Sequence, residues 1–107
     1  TMNNNAHIIE QLNNILRTKY SDYLWSYLYG SQLTGKTHDD SDIDVALIFR
    51  REISWKFKDE VYETINPIMV ENDVVFDARV YSEEEAKYPS TPFREEIILT
   101  GKFYAAA

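Results

Sequence analysis

Gly30-Ser31 followed, ten residues later, by Asp42-Ile43-Asp44 is the part of this chain whose residue types and spacing can do chemistry. The two aspartates stand two apart at the head of an apolar run that ends at Phe49. Successive strand side chains point to opposite faces, so Asp42 and Asp44 share one. Two like charges held side by side and partly buried are costly. A hard divalent cation such as magnesium, which prefers carboxylate oxygen, removes that cost. Such a pair can ligate one cation, or two about 3.5–4 Å apart, and so serve phosphoryl transfer. The competing reading of the pair is a solvated strand face. Ahead of it, Gly30 lets the backbone approach a ligand closely. A helix start after Gly30 would offer N–H groups to an anion, and Ser31 would add a hydroxyl donor. Gly30 and Ser31 can equally be an ordinary turn with Ser31 as a helix N-cap.

Asp77 is the candidate third carboxylate, either as a further ligand or as the base that takes a proton from an acceptor hydroxyl. Asp73 is its rival, though its place at the strand's mouth suits a cap or a solvated turn. Arg79 and Lys36 can each touch a phosphate or form a surface ion pair. His7 and His38 lack partners at metal-ligand spacing and read as solvent-exposed. Tyr27 and Tyr29 read as sheet or core residues.

These groups need elements to position them. Ile8, Ile9, Leu12, Ile15 and Leu16 recur at helical spacing and predict a helix from Asn5 to Lys19. Tyr23 to Tyr29 reads as an aromatic-rich strand closed by the Gly30 turn. Ser31 to Gly35 is a candidate short helix, and Thr37 to Ser41 a polar loop. Asp42 to Phe49 is the second strand. Ser54 caps a helix expected to turn Trp55, Phe57, Val61, Tyr62 and Ile65 inward. Pro67 is expected to kink or end that helix, although its pattern can run on to Val70. Asp73 to Tyr81 is the third strand. Ser82 with Glu83, Glu84 and Glu85 begins a short helix. A last helix starts at Thr91 or Pro92, runs to Thr100 and closes at Gly101, before a short strand from Lys102 to Tyr104. Ile43, Val45, Leu47 and Phe49 form one apolar row, and Val74, Phe76, Ala78 and Val80 another. The expected fold is therefore α/β, a small mixed β-sheet with helices packed on one face and the acids turned to the other.

The chain has 107 residues, which predicts a single domain over 1–107. A hydrophobic share of 44% supports a packed core. Cysteine is absent, which removes disulfides and thiolate metal sites. A formal net charge of −7 argues against general nucleic-acid binding. No long apolar run and no basic-then-apolar N-terminal pattern is present, so the expectation is a cytoplasmic protein without a membrane anchor.

The string Gly30-Ser31-Gln32-Leu33-Thr34-Gly35 through Asp40-Ser41-Asp42-Ile43-Asp44 resembles the DNA polymerase β-like nucleotidyltransferase superfamily, and within it the minimal nucleotidyltransferases. Asp77-Ala78-Arg79-Val80-Tyr81-Ser82-Glu83-Glu84-Glu85 is similar to that family's third-carboxylate strand and the helix after it. Pro92-Phe93-Arg94-Glu95-Glu96-Ile97 and Gly101-Lys102-Phe103-Tyr104 resemble its closing helix and strand. The resemblance implies the nucleotidyltransferase fold and transfer of a nucleoside monophosphate, AMP from ATP, to a hydroxyl acceptor. It implies that Gly30 and Ser31 hold the triphosphate, and that Asp42, Asp44 and Asp77 form the catalytic, Mg2+-binding triad. Gln32 and Thr34 stand where many relatives carry an arginine.

The same resemblance implies a partner. Minimal nucleotidyltransferases are commonly paired with an all-helical HEPN-family toxin, and act as its antitoxin by attaching AMP to one of its tyrosines. A homodimer is compatible with the sequence. Two other readings stand beside this one. The chain can be an inactive nucleotidyltransferase-fold module that neutralises or scaffolds a partner, or it can nucleotidylate a small molecule such as an aminoglycoside. The last would need an acceptor pocket that a chain of this length has little material to build.

Overall fold

The period-two alternation of Asp42 to Phe49 becomes the second strand of a four-stranded sheet in the computed structural model, which describes residues 5–30 and 42–105. In chain order the elements are α1 (Asn5–Lys19), β1 (Tyr23–Tyr29), β2 (Asp42–Phe49), α2 (Trp55–Asn72), β3 (Val75–Ser82), α3 (Glu83–Lys87), α4 (Pro92–Thr100) and β4 (Lys102–Ala105). The strand order is β3-β2-β1-β4. β1 pairs antiparallel with both β2 and β4, and β2 pairs parallel with β3 through the α2 crossover. The segments expected as a short helix at Ser31 to Gly35 and a loop at Thr37 to Ser41 lie outside the described residues.

The long helices cover one face as expected. Ile43, Val45, Leu47 and Phe49 of β2, with Phe76 and Val80 of β3, pack against Ile8, Ile9, Leu12 and Leu16 of α1 and Phe57, Val61, Ile65 and Ile68 of α2. Burial at this scale is the main force holding the fold, at about 1.5–3 kcal/mol for each large apolar side chain. The other face also carries helices, where the sequence reading has them on one face only. Ala86 of α3 and Ile97 of α4 pack on Tyr27, Tyr29, Ala46 and Ile48. The cause is in the strands themselves: β1 and β2 are apolar on both faces beyond the acids, and the second apolar row needs its own cover.

Four details of α2 and β3 refine or depart from the expectation. Trp55 points outward, 78% exposed. The buried stripe is set by Phe57, Val61, Ile65 and Ile68, and a residue two before Phe57 lies about 200° round the helix from it. Tyr62 flanks the same stripe and is only partly covered. Its hydroxyl instead donates to the Ala78 carbonyl (3.0 Å) and accepts from the Ala78 N–H (2.8 Å), closing a backbone pair at the edge of β3. Pro67 sits inside α2 without ending it. The carbonyl it leaves unpaired belongs to Glu63, and both residues lie on the exposed side, where water can serve that group. Asp73 ends the helix in the left-handed conformation (φ 54°) and is a cap, not a member of β3.

Candidate functional site

Strand register gathers the site. Tyr29 of β1 lies opposite Asp44 of β2, and Asp44 lies beside Asp77 of β3. Three neighbouring strands thus place Tyr29, Asp44 and Asp77 in one row across the sheet. Asp42 precedes Asp44 by two residues and Arg79 follows Asp77 by two, so both share that face. The row forms the floor of a cleft of about 660 Å³. Its wall is α4, which contributes Pro92, Phe93, Glu96, Ile97 and Thr100. Thr91 caps that helix by accepting from the Arg94 N–H at 3.2 Å, and Pro92 supplies a fixed φ at its start.

Gly30 sits at the end of β1 with φ +76°, a conformation that side chains disfavour. A Cβ added there would run into the Asp44 carboxylate. The glycine therefore makes room for Asp44 at the mouth of the cleft. The group that comes close to the Gly30 backbone here is this chain's own carboxylate, where the sequence reading expects a phosphate ligand. Ser31, the other expected phosphate contact, lies outside the described residues, as do Lys36 and His38. His7 is exposed on α1, as expected.

The acids are brought together in part. Asp44 and Asp77 are register partners on adjacent parallel strands, with their side chains on the same face. The Asp44 carboxyl is held above its ordinary value, first by burial, then by the Asp77 and Asp42 charges, with Arg79 opposing. Asp42 is half-buried and close enough for its charge to act on Asp44. Among the described residues, no three acidic or histidine side chains are gathered tightly enough to hold an ion as they stand. The donor set is nonetheless all carboxylate oxygen, which suits a hard cation. The mutual repulsion that raises the Asp44 carboxyl is what a bound cation would relieve.

Tyr29 and α4 are what the sequence reading missed. The Tyr29 ring meets Phe93 edge-on with centroids 5.9 Å apart, and the Arg79 guanidinium stacks 4.9 Å from the Phe93 centroid. Burial pushes the Tyr29 phenol up to about 12, while Arg79 beside it draws it back down. The phenol is thus a neutral group at the edge of the acid row. The available signal was alternation: a Tyr29 side chain that pairs with Asp44 must share the acid face. Nothing local marks Phe93 or Glu96, because only the packing of a distant helix puts them there.

Comparison with known proteins gives a consistent picture of the fold. The family model described as polymerase beta, nucleotidyltransferase matches residues 10–103. No curated protein matches the chain. A toxin–antitoxin structure with AMP-PNP superposes with a TM-score of 0.58 at 18% identity, covering 92% of this chain and 72% of that one. The MntA–HpeT toxin–antitoxin complex carrying two Asp-to-Glu substitutions two positions apart gives 0.57 at 17% identity, covering 99% and 73%. A tri-AMPylated Shewanella oneidensis HEPN toxin in complex with its MNT antitoxin gives 0.51 at 17% identity, covering 92% and 71%. At these identities the structures share the fold with this chain.

Proposed function

The chain belongs to the polymerase beta nucleotidyltransferase family, and from that premise we propose that it transfers AMP from ATP to a tyrosine hydroxyl of a HEPN-type toxin, and so acts as that toxin's antitoxin. The observation that carries the reading is the acid row at the cleft floor, with Asp44 and Asp77 side by side and Gly30 shaped to admit Asp44. Three of the structural neighbours are toxin–antitoxin structures, one with AMP-PNP and one with an AMPylated HEPN toxin, which supports this reading.

In this reading Gly30, with Ser31 after it, receives the triphosphate at the open end of β1. Asp42, Asp44 and Asp77 would hold magnesium, whose chemistry there is charge neutralisation on the phosphoryl group and a lower pKa for the attacking hydroxyl. The carboxylates orient the α-phosphorus over the acid row, and α4 screens one side from water. The acceptor oxygen forms a bond to the α-phosphorus as the bond to pyrophosphate breaks, and the hydroxyl proton leaves to a carboxylate of the row. The acceptor comes from another molecule, presented to the open side of the cleft.

A second reading, a partner-neutralising module without chemistry, draws on Gln32 and Thr34 standing where many relatives carry arginine. One experiment separates the two. The chain and a helical partner encoded beside it are incubated with α-labelled ATP and magnesium. The enzyme reading expects label on a partner tyrosine, lost in the Asp42→Ala/Asp44→Ala double variant. A tight complex with no labelled product, unaffected by that double variant, would establish the module instead.

A further inference from the structure

Among the described residues lining the cleft, Arg79 is the only cation, facing the carboxylates Asp44, Asp77 and Glu96. A nucleoside triphosphate is a polyanion, and fixed charges of this balance repel it. The cleft therefore needs positive charge from its own walls as well as from any bound cation. Arg79 is placed to give it. In register it lies beside Ala46, two residues along β2 from Asp44, or about 6.6 Å at ordinary strand rise. Gly30 adjoins Tyr29, which pairs with Asp44, so it sits at the other end of the acid row. Gly30 on β1 and the backbone position of Arg79 on β3 thus lie at opposite ends of the acid row.

One contact orients that guanidinium: it stacks on the Phe93 ring, 4.9 Å from the centroid. None of the ion pairs among the described residues uses it. A planar donor fork held by an aromatic ring and facing a phosphoryl site suits bidentate contact with phosphate oxygens. We propose that Arg79 contacts the transferred phosphoryl group of the nucleotide from the side of the acid row opposite Gly30, with Phe93 as its platform. This rests on the nucleotidyltransferase reading above.

The test is calorimetric binding of AMP-PNP and of adenosine, both with magnesium, to the full chain and its variants. Arg79→Ala is expected to bind AMP-PNP about 10-fold or more weakly, the effect of losing a charge-assisted hydrogen bond, with adenosine binding unchanged. Arg79→Lys, which keeps an aliphatic stem over Phe93 and a point charge, recovers part of the loss. It also carries the test if Arg79→Ala melts early. Arg50→Ala, at the far end of β2, leaves both ligands unaffected. Unchanged AMP-PNP binding in Arg79→Ala and Arg79→Lys overturns the assignment. Equal weakening of AMP-PNP and adenosine overturns it as well, since that marks a distorted cleft. Wild-type protein that fails to bind AMP-PNP overturns the nucleotidyltransferase reading itself, whereas wild-type binding with indifferent variants removes Arg79 alone.

Discussion

The two faces of this sheet are built from the same strands and do opposite work. On one, Ile43, Val45, Leu47 and Phe49 disappear under α1 and α2, fully or nearly fully buried. On the other, the same strand carries Asp42 and offers Asp44, and the next strand offers Asp77, to a cleft that α4 walls. The first face is optimised for burial. The second holds Asp44 at a cost, its carboxyl raised first by burial and then by the Asp77 and Asp42 charges. The alternation of a single eight-residue strand separates the two roles.

Substitutions should respect that division. Phe49→Ala opens a hole where three aromatic rings, Tyr20, Tyr23 and Phe57, meet the Phe49 ring within 5.5 Å. It is expected to destabilise by about 3–5 kcal/mol in chemical denaturation, with little change in nucleotide affinity for the fraction that stays folded. A loss of affinity at unchanged stability would break the comparison. Gly30→Ala comes next, and touches both roles. The positive φ costs about 1–2 kcal/mol, and the new methyl displaces the Asp44 carboxylate. Lower melting together with weaker AMP-PNP binding is the expected pattern, and an unaffected melt would show that the turn relaxes freely.

The smallest effect lies away from both faces. Arg51 grips Asp22 with two hydrogen bonds, Nε at 2.7 Å and Nη2 at 2.9 Å, and that contact holds the Asp22 carboxyl below its ordinary value. A lowered folded pKa contributes stability above the ordinary aspartate range, which is lost as pH falls through the lowered value. Asp22→Asn should therefore cost about 0.2–1 kcal/mol at neutral pH and nothing in acid, where both proteins carry a neutral group. An equal cost at every pH would assign the effect to packing.

Much of the core face was legible because its signals are local and periodic. The stripe of α1 and the alternation of β2 each repeat over several residues, so the helix, the strand and the acid-bearing side follow from spacing. Ser54 and Ser82 announce their helices for the same reason, each side-chain oxygen accepting from an N–H three residues on. The shared face of Asp42 and Asp44 could be read from their place in that alternation. The misplaced residue sits where the pattern is ambiguous: Trp55, one step from a cap and outside the stripe that Phe57 begins. At Pro67 the helix takes the second course the sequence allows and runs on. The cleft wall was not legible. Phe93 and Glu96 belong to a short helix whose docking on the second face depends on Ile97 meeting β1 and β2, a contact far apart in the chain. Arg79 was visible as a candidate, but its platform was not.

The most direct test of the central claim, that the acid face transfers phosphoryl groups while the opposite face holds the fold, is labelled-AMP transfer by Asp44→Asn. That change keeps the shape of the side chain and removes its charge. Transfer should fall by about 10²–10³-fold or more, as expected for losing a principal electrostatic group of a transfer site. Melting should stay at or above the wild-type temperature, because the replaced carboxyl is one the fold holds at a cost. Transfer persisting at the wild-type rate would contradict the account.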